Sequence, residues 1–161
     1  MATISSRVIE VCVFRVRDAV PEYLILKRSA NEAVYPGVWQ IVTGMIEGDE
    51  RALTAALREL REETGLRPEK MWVTPYVDTF YSIGSDTVNL TPVFAVQVKM
   101  SDEPQLSNEH QEFLWLTYEA ALKRLVWRGQ QNAIIHTHTY IVGGMEGGSL
   151  AEIQNFTHYE R

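Results

Sequence analysis

The segment from Gly44 to Leu66 constrains the fold more than any other part of the 161-residue chain. It reads GMIEGDERALTAALRELREETGL. At about 100° per residue, Leu53, Leu57, Leu60 and Thr64 fall on one side, which predicts an amphipathic helix over residues 50–64. Gly65 follows where a left-handed C-terminal cap belongs. The chain must therefore provide an apolar surface on which this helix packs.

Three glutamates occupy the last turns of this predicted helix. Glu59 and Glu63 are one turn apart and point the same way, with Glu62 on the adjoining flank. Like charges at this spacing destabilise one another unless a cation neutralises them, and carboxylate oxygens suit Mg²⁺. The residues alone leave two interpretations open, a metal site and a solvated acidic face.

The same segment matches a known sequence motif, the Nudix box, at every specified position. The pattern runs Gly44, five residues, Glu50, seven residues and then RELREETGL from Arg58 to Leu66. So many fixed letters make a chance match rarer than about one in 10⁸ per starting position. The chain therefore resembles the Nudix hydrolases.

This resemblance implies a fold, a cofactor and a set of site residues. The implied fold is a Nudix-type α/β/α sandwich with a mixed β-sheet. The implied cofactor is Mg²⁺, with Mn²⁺ as the alternative ion. The implied metal ligands are Gly44 through its carbonyl, Glu59, Glu62 and Glu63. The resemblance also implies a structural ion pair between Glu50 and Arg58, and makes Glu59 one candidate for the general base.

Outside the motif, the chain resembles the bacterial dATP and dihydroneopterin triphosphate pyrophosphohydrolases. WQIVTG at 39–44 and NEHQEFLWLTYEAA at 108–121 carry this likeness. It implies that Glu109 is a further metal ligand or the general base, and that Arg28 contacts phosphate. Trp39 is a candidate for stacking on the substrate, although aromatic residues in strands more often belong to a core. The loop at 29–37 and the tail after residue 143 depart from the subgroup's pattern.

The rest of the chain alternates between strand and helix patterns. Strands are predicted at 7–16, 23–27, 38–43, 71–81, 88–100 and 113–116. Helices are predicted at 117–125 and 129–142. This order favours a single α/β domain over residues 1–142. Residues 143–161 include GGMEGGS without periodicity and are predicted to form a flexible or loosely docked tail.

Composition limits the partners of the chain. Acidic residues (21) outnumber basic ones (15), giving a net charge of −6, and no basic stripe indicates nucleic-acid binding. No apolar stretch is long enough to span a bilayer, and residues 1–6 do not resemble a secretion leader. The sequence therefore predicts a cytoplasmic monomer or homodimer whose partner is a small nucleotide or pterin triphosphate.

The leading hypothesis is Mg²⁺-dependent hydrolysis of a phosphoanhydride bond in a nucleoside triphosphate-type substrate, releasing monophosphate and pyrophosphate. Within the same enzyme class, the alternative is a dinucleoside polyphosphate or nucleotide-sugar hydrolase. A different class is a sensor domain that binds nucleotides without catalysis. The intact set of Glu59, Glu62 and Glu63 argues against a pure binder.

Overall fold

The computed structural model describes residues 1–159, which form a mixed sheet with helices on both faces. The strands are β1 (Thr3–Ser5), β2 (Val8–Arg17), β3 (Val20–Arg28), β4 (Trp39–Gln40), β5 (Val42–Met45), β6 (Lys70–Ser82), β7 (Thr87–Gln97) and β8 (His110–Thr117). The helices are α1 (Ala52–Thr64), α2 (Tyr118–Arg124), α3 (Arg128–His136) and α4 (Glu146–Leu150). A π-helical segment, Thr137–Val142, continues α3, and Phe156–Tyr159 forms a 3₁₀ turn. Within the described range, none of the helices has the length and apolar character that crossing a membrane requires.

Strand β2 organises the sheet because its two halves pair with different neighbours. Val8–Val11 pairs antiparallel with β5, whereas Phe14–Arg17 pairs antiparallel with β3. The opposite edge of β2 pairs in parallel with β7. Strands β6 and β8 extend the sheet by antiparallel pairing with β7 and β3. The sheet is therefore mixed, as the sequence predicted, and it divides at the point where β3 and β5 separate.

Alternation along β2 supplies two apolar cores, one on each face of the sheet. Ile9 and Val11 belong to the core that includes Leu60 of α1. Cys12 and Phe14 belong to the core that includes residues of α2 and α3. Because side chains of a strand alternate between faces, one strand anchors helices on both sides. The predicted α/β/α sandwich is confirmed.

Helix α1 begins and ends close to its predicted bounds. Gly65 caps it in the left-handed conformation, with φ at 68°, which confirms the predicted cap. The helix begins at Ala52 rather than residue 50, because Glu50 belongs to the preceding turn. In that turn the Glu50 backbone N–H donates to the Glu47 carbonyl at 2.8 Å, and the Glu47 N–H donates to the Glu50 carboxylate at 3.2 Å.

The strand predicted at 38–43 is two short strands, β4 and β5, separated at Ile41. Strand β4 pairs with β3, whereas β5 pairs with β2. The backbone changes partner where the sheet divides, and a hydrophobic pattern does not record which strand is the partner.

The C-terminal segment, predicted to be a flexible or loosely docked tail, lies against the sheet. Its backbone extends the free edge of β6: the Val73 N–H donates to the Ala151 carbonyl at 3.1 Å, and the Ile153 N–H donates to the Met71 carbonyl at 2.7 Å. Phe156 packs against the core under α1. An unpaired strand edge accepts additional backbone, and irregular backbone of this kind carries no periodic signal in the sequence.

Candidate functional site

The last turn of α1 and the loop before β8 are joined by backbone hydrogen bonds. The Gln105 N–H donates to the Thr64 carbonyl at 2.8 Å, and the Ser107 N–H donates to the Glu63 carbonyl at 3.2 Å. The Glu109 carbonyl accepts from the Ser29 N–H at 2.7 Å. These contacts place Glu109 beside the glutamates of α1, although it lies 46 positions beyond Glu63 in the sequence (109 − 63).

Glu63 is the most buried carboxyl group of the predicted motif, with 3% of its surface exposed. Burial raises the pKa of Glu63 well above its usual value, and the charges of Glu59 and Glu109 raise it further. The backbone N–H of Thr43 and the charge of Arg28 oppose that rise. Its Oε2 atom is buried and lacks a hydrogen-bond partner among the described residues. A buried carboxylate oxygen of this kind needs a cation, a proton or a donor.

Gly44 lies directly against the carboxyl group of Glu59. A Cβ atom at position 44 would collide with the Glu59 carboxyl in its present position, and glycine leaves room for it. The Glu59 side chain is 14% exposed, and burial raises its pKa. The motif glycine therefore fixes the distance between strand β5 and the acidic face of α1.

Arg58 ties this acidic face to the preceding loop. Its guanidinium donates two hydrogen bonds to Glu50, at 3.0 and 2.9 Å, and one to the Met45 carbonyl at 2.8 Å. The remaining nitrogen, Nη1, donates to Glu59 at 2.8 Å and to Glu62 at 3.2 Å. Hydrogen bonding from Arg58 lowers the pKa of Glu50. Glu62 is more exposed than Glu59, with 60% of its side chain accessible against 14%.

The donor atoms of this cluster suit a divalent cation. Within residues 1–159, no three His, Cys, Asp or Glu side chains are placed so that they could hold a metal ion. Arg58 bonds oxygens of Glu59 and Glu62. Glu63 has an unpartnered Oε2, and Glu59 and Glu109 are near enough to perturb its pKa. The carboxylates of these three residues offer only oxygen atoms as ligands. Mg²⁺ and Mn²⁺ favour such ligands.

A cleft of about 750 Å³ opens beside the glutamate cluster on the α3 side of the sheet. Arg28, Gln40 and Thr43 line the end near Glu63. Tyr35 and Trp127 form part of its wall, in edge-to-face contact with ring centroids 4.9 Å apart. This volume lies within the usual range of small-molecule pockets.

The structure brings Arg28 to this cleft but not Trp39. Arg28 is held by hydrogen bonds to the Val34 carbonyl and to Glu32, both at 2.9 Å. Trp39 is not among the cleft residues. It packs against the second core, with the cationic groups of Lys27 and Arg124 lying 5.6 and 5.2 Å from its ring centroid. Stacking of Trp39 on the substrate therefore stays a prediction, and its neighbour in strand β4 is the residue that faces the cleft.

Gln40 is the residue of this strand that reaches the cleft, and it contacts His110. Its amide nitrogen lies 3.2 Å from Nε2 of His110. Burial, assisted by the charge of Arg28, lowers the pKa of His110 to about 4, so this imidazole is neutral at pH 7. His110 therefore adds no positive charge for binding phosphate.

Two buried acids of the cleft, Glu10 and Asp78, were missed by the sequence interpretation. Both line the cleft and are at most 7% exposed. A signal for Glu10 exists, because it is the acidic residue within the apolar run RVIEVCVFRV. Asp78 lies in a longer, more polar strand and has no comparable signal.

Comparisons with known proteins identify the family of this chain. The family model described as the NUDIX domain matches residues 6–136. The matched part contains both the glutamate helix and the strands that position it. The chain belongs to the Nudix hydrolase family.

Two related proteins show how far sequence similarity extends. An octanoyltransferase of Myxococcus xanthus is 31% identical over 135 residues, which are 80% of this chain but 35% of that protein. The chain therefore spans about a third of that relative. The nucleoside triphosphatase NudI of Escherichia coli is 26% identical over 104 residues, covering 60% of this chain and 74% of NudI.

Two solved structures share the fold at low sequence identity. An Ap4A hydrolase of C. elegans has a TM-score of 0.73 and 20% identity, covering 86% of this chain and 99% of that one. The dihydroneopterin triphosphate pyrophosphohydrolase of E. coli has a TM-score of 0.68 and 21% identity, covering 89% and 100%. At identities this low, the similarity is evidence for a shared fold.

Proposed function

We propose that this protein hydrolyses a phosphoanhydride bond of a nucleoside triphosphate-type substrate with Mg²⁺, releasing monophosphate and pyrophosphate. One observation carries the proposal: the buried, unpartnered carboxylate oxygen of Glu63 lies in a cluster with Glu59 and Glu109 beside a nucleotide-sized cleft. A cation or a proton would stabilise such an arrangement, and a cation would also neutralise the charge of a bound polyphosphate.

Glu59 and Glu63 are the side chains that would hold the ion, with Glu62 and the Gly44 carbonyl in support. When bound, Mg²⁺ supplies neutralisation of phosphate charge and lowers the pKa of the attacking water. Arg58 keeps Glu59 in position, since it bonds both that carboxylate and Glu50. If Nη1 of Arg58 releases its carboxylate partners, the hydrogen bonds to Glu50 stay in place, because they come from the other two guanidinium nitrogens.

Glu109 is the residue that we propose as the proton acceptor for the attacking water. It is exposed, in contrast to Glu63, and it lies close enough to raise the pKa of both Glu59 and Glu63. An exposed carboxylate is free to move onto a water molecule and to release the proton to solvent. Glu59, whose side chain is mostly buried and bonded to Arg58, has less freedom for that role.

The cleft favours an anionic substrate with an aromatic group. Arg28 and Arg128 line the cleft. Their positive charges attract an incoming phosphate, which the net charge of −6 of the whole protein would otherwise repel. Tyr35, Trp127 and Phe80 supply aromatic surface for a planar ring. The similarity to NudI, named a nucleoside triphosphatase, supports a triphosphate substrate.

Product analysis tests this proposal. The full chain is incubated with deoxynucleoside triphosphates, dihydroneopterin triphosphate, Ap4A and a nucleotide sugar, with Mg²⁺ or with EDTA. We expect monophosphate and pyrophosphate from at least one triphosphate, in the Mg²⁺ sample alone. Hydrolysis of Ap4A or the nucleotide sugar without triphosphate turnover would replace this proposal by the alternative hydrolase. Tight nucleotide binding without any product would indicate a sensor domain.

A further inference from the structure

A second pair of carboxyl groups lies in the cleft, outside the Nudix motif. Glu10 comes from β2 and Asp78 from β6, and they are 4% and 7% exposed. Both line the cleft that adjoins the glutamate cluster of α1. Two acids buried together are costly unless each oxygen has a defined partner.

The partners of these two groups leave one buried carboxyl oxygen without a hydrogen bond. Glu10 Oε1 accepts a hydrogen bond from the Gln130 amide at 3.3 Å, whereas the buried Oε2 has no partner among residues 1–159. Asp78 Oδ1 accepts from the Tyr76 hydroxyl at 3.0 Å and from the Thr79 N–H at 2.8 Å. The unpartnered atom therefore belongs to a side chain that lines the cleft and is more than nine-tenths buried.

The first turn of α3 shapes this pair. A Cβ atom at Gly129 would collide with the Asp78 carboxyl, so glycine leaves room for this carboxyl in its present position. Gln130 has a fixed orientation, because its Oε1 accepts from the Ile41 N–H at 3.2 Å and its Nε2 therefore faces Glu10. Neighbouring residues of one helix thus hold both acids in the wall of the cleft.

The pair presents a hydrogen-bond donor beside an acceptor. Burial, together with the charge of Asp78, raises the pKa of Glu10 to about 8, so Glu10 carries a proton at neutral pH. A protonated carboxyl group donates through O–H, while a neighbouring carboxylate accepts. The complementary ligand edge has a ring nitrogen acceptor next to an amino group, as in adenine and cytosine.

The surrounding walls fit a flat heterocycle. Phe80 and Tyr81 follow Asp78 on β6, and Tyr35 and Trp127 belong to the same cleft. Aromatic surface of this kind binds the face of a ring, whereas the acids reach its edge.

We propose that Glu10 and Asp78 bind the N=C–NH₂ edge of the substrate's heterocycle and select amino-bearing bases. The inference rests on the proposed function, because it assigns the base end of the same substrate. Glu10 Oε2 faces the ring nitrogen and Asp78 accepts from the amino group. These are binding and specificity residues, and the reacting phosphate lies at the glutamate cluster.

Matched nucleotides that differ at this edge test the proposal. The kcat/KM of dATP is compared with that of dITP, and dCTP with dUTP, on the full chain with Mg²⁺. We expect each amino-bearing nucleotide to be favoured at least about tenfold, since a site that bonds the amino group rejects its oxo analogue. A ratio near one in both pairs overturns the inference even if all four are hydrolysed.

Variants separate recognition from a purely structural role. Asp78→Asn turns an acceptor into a donor, and Glu10→Leu removes the donor. We expect both to bring the dATP/dITP ratio to within about threefold of one. Glu10→Gln keeps the preference, because its amide oxygen can accept from Gln130 while its N–H₂ takes the position of Oε2. Asp18→Asn, in the exposed turn between β2 and β3, is the matched control and retains the ratio.

Binding measurements keep the two proposals distinguishable. Calorimetric Kd values for dATP and dITP on the wild-type chain report edge recognition without turnover. If no nucleotide is hydrolysed yet dATP binds at least about tenfold more tightly, the proposed function fails and the edge assignment stands. If the two bind equally, the edge assignment fails, whatever the turnover and whether or not a variant folds.

Discussion

The guanidinium of Arg58 contacts the carboxylate of Glu59, its neighbour in the chain, with Nη1 and Oε1 2.8 Å apart. The same guanidinium is paired with Glu50 through its other nitrogens. Arg58 thus fastens the helix to the preceding loop and at the same time neutralises part of the acidic face. If Glu59 binds the proposed Mg²⁺, the cation has to compete with this arginine for its carboxylate.

Arg58→Lys is expected to destabilise the protein. A lysine keeps the charge but loses the planar pair of hydrogen bonds to Glu50, so the free energy of unfolding should fall by about 1–2 kcal/mol. Urea denaturation measures this change. Arg61→Lys, exposed on the same helix, is the control and should lie within about 0.5 kcal/mol of the wild type. If Arg58→Lys and Arg61→Lys were equally stable, Arg58 would not stabilise the attachment of helix α1 to the preceding loop.

Glu63→Gln is expected to lower turnover at least about a hundredfold while the protein stays folded. The substitution removes the charge that a bound cation needs, yet it also removes a buried carboxylate that lacks a partner. The melting temperature without metal should therefore be unchanged or higher, and the stabilisation by Mg²⁺ should be lost. Wild-type turnover by this variant would contradict the metal assignment.

Glu109→Ala is expected to lower kcat by about 10²–10⁴-fold and to change nucleotide affinity much less. Its carboxylate is exposed beside Glu59 and Glu63 and is proposed to take a proton in the reaction. Steady-state kinetics and nucleotide titration separate the two effects. Glu112→Ala removes an acid of the adjoining strand that pairs with Lys27 at 2.8 Å, and it should leave kcat unchanged. An unaltered kcat in Glu109→Ala excludes Glu109 as the base.

The stability of the protein should depend on pH through Glu10. Its pKa rises from 4.5 to about 8 on folding, mainly through burial and then through the facing charge of Asp78. The folded state therefore binds the proton more tightly, and this stabilising contribution is complete below pH 4.5 and is lost as the pH rises through about 8.

Comparison of the wild type with Glu10→Gln isolates this effect. Between pH 5 and 8 the wild type should lose stability relative to the variant by at most about 1.4 kcal/mol per pH unit. Unfolding free energies at successive pH values measure the difference. Glu119→Gln, exposed on α2, controls for general charge effects. Parallel curves for the wild type and Glu10→Gln would disprove the prediction.

Phe156→Ala tests whether the C-terminal segment contributes to the folded domain. Phe156 is partly buried against the core under α1, so its truncation should cost about 1–3 kcal/mol of unfolding free energy. Leu150→Ala, at a side chain that is 82% exposed, should cost little. Equal and negligible changes in thermal unfolding would show that this segment is only loosely attached.

Much of the acidic helix could be predicted because its information is local. Leu57, Leu60 and Gly65 define the buried side and the end of α1 through spacing alone. The Nudix motif then added residues whose pairing spans eight positions, such as Glu50 and Arg58. Local patterns of this kind need no knowledge of the sheet.

The cleft could not be predicted in the same way, because strand pairing decides which side chains meet there. Glu10 and Asp78 come from strands that are separated in the sheet by β7, and no spacing in the sequence relates them. Whether Gln40 or Trp39 faces the cleft depends on where β4 ends and β5 begins. Pairing partners and register are set by tertiary structure, which a single sequence does not display.

The division of the sheet along β2 also has a kinetic consequence. Glu63 follows β5, Arg28 ends β3 and Glu109 precedes β8, so the proposed cation site can form only after these distant segments have joined. Contacts of such long sequence separation form slowly, because loop closure must precede them. A cation that binds this site is therefore expected to act after the rate-limiting step, retarding unfolding rather than hastening folding.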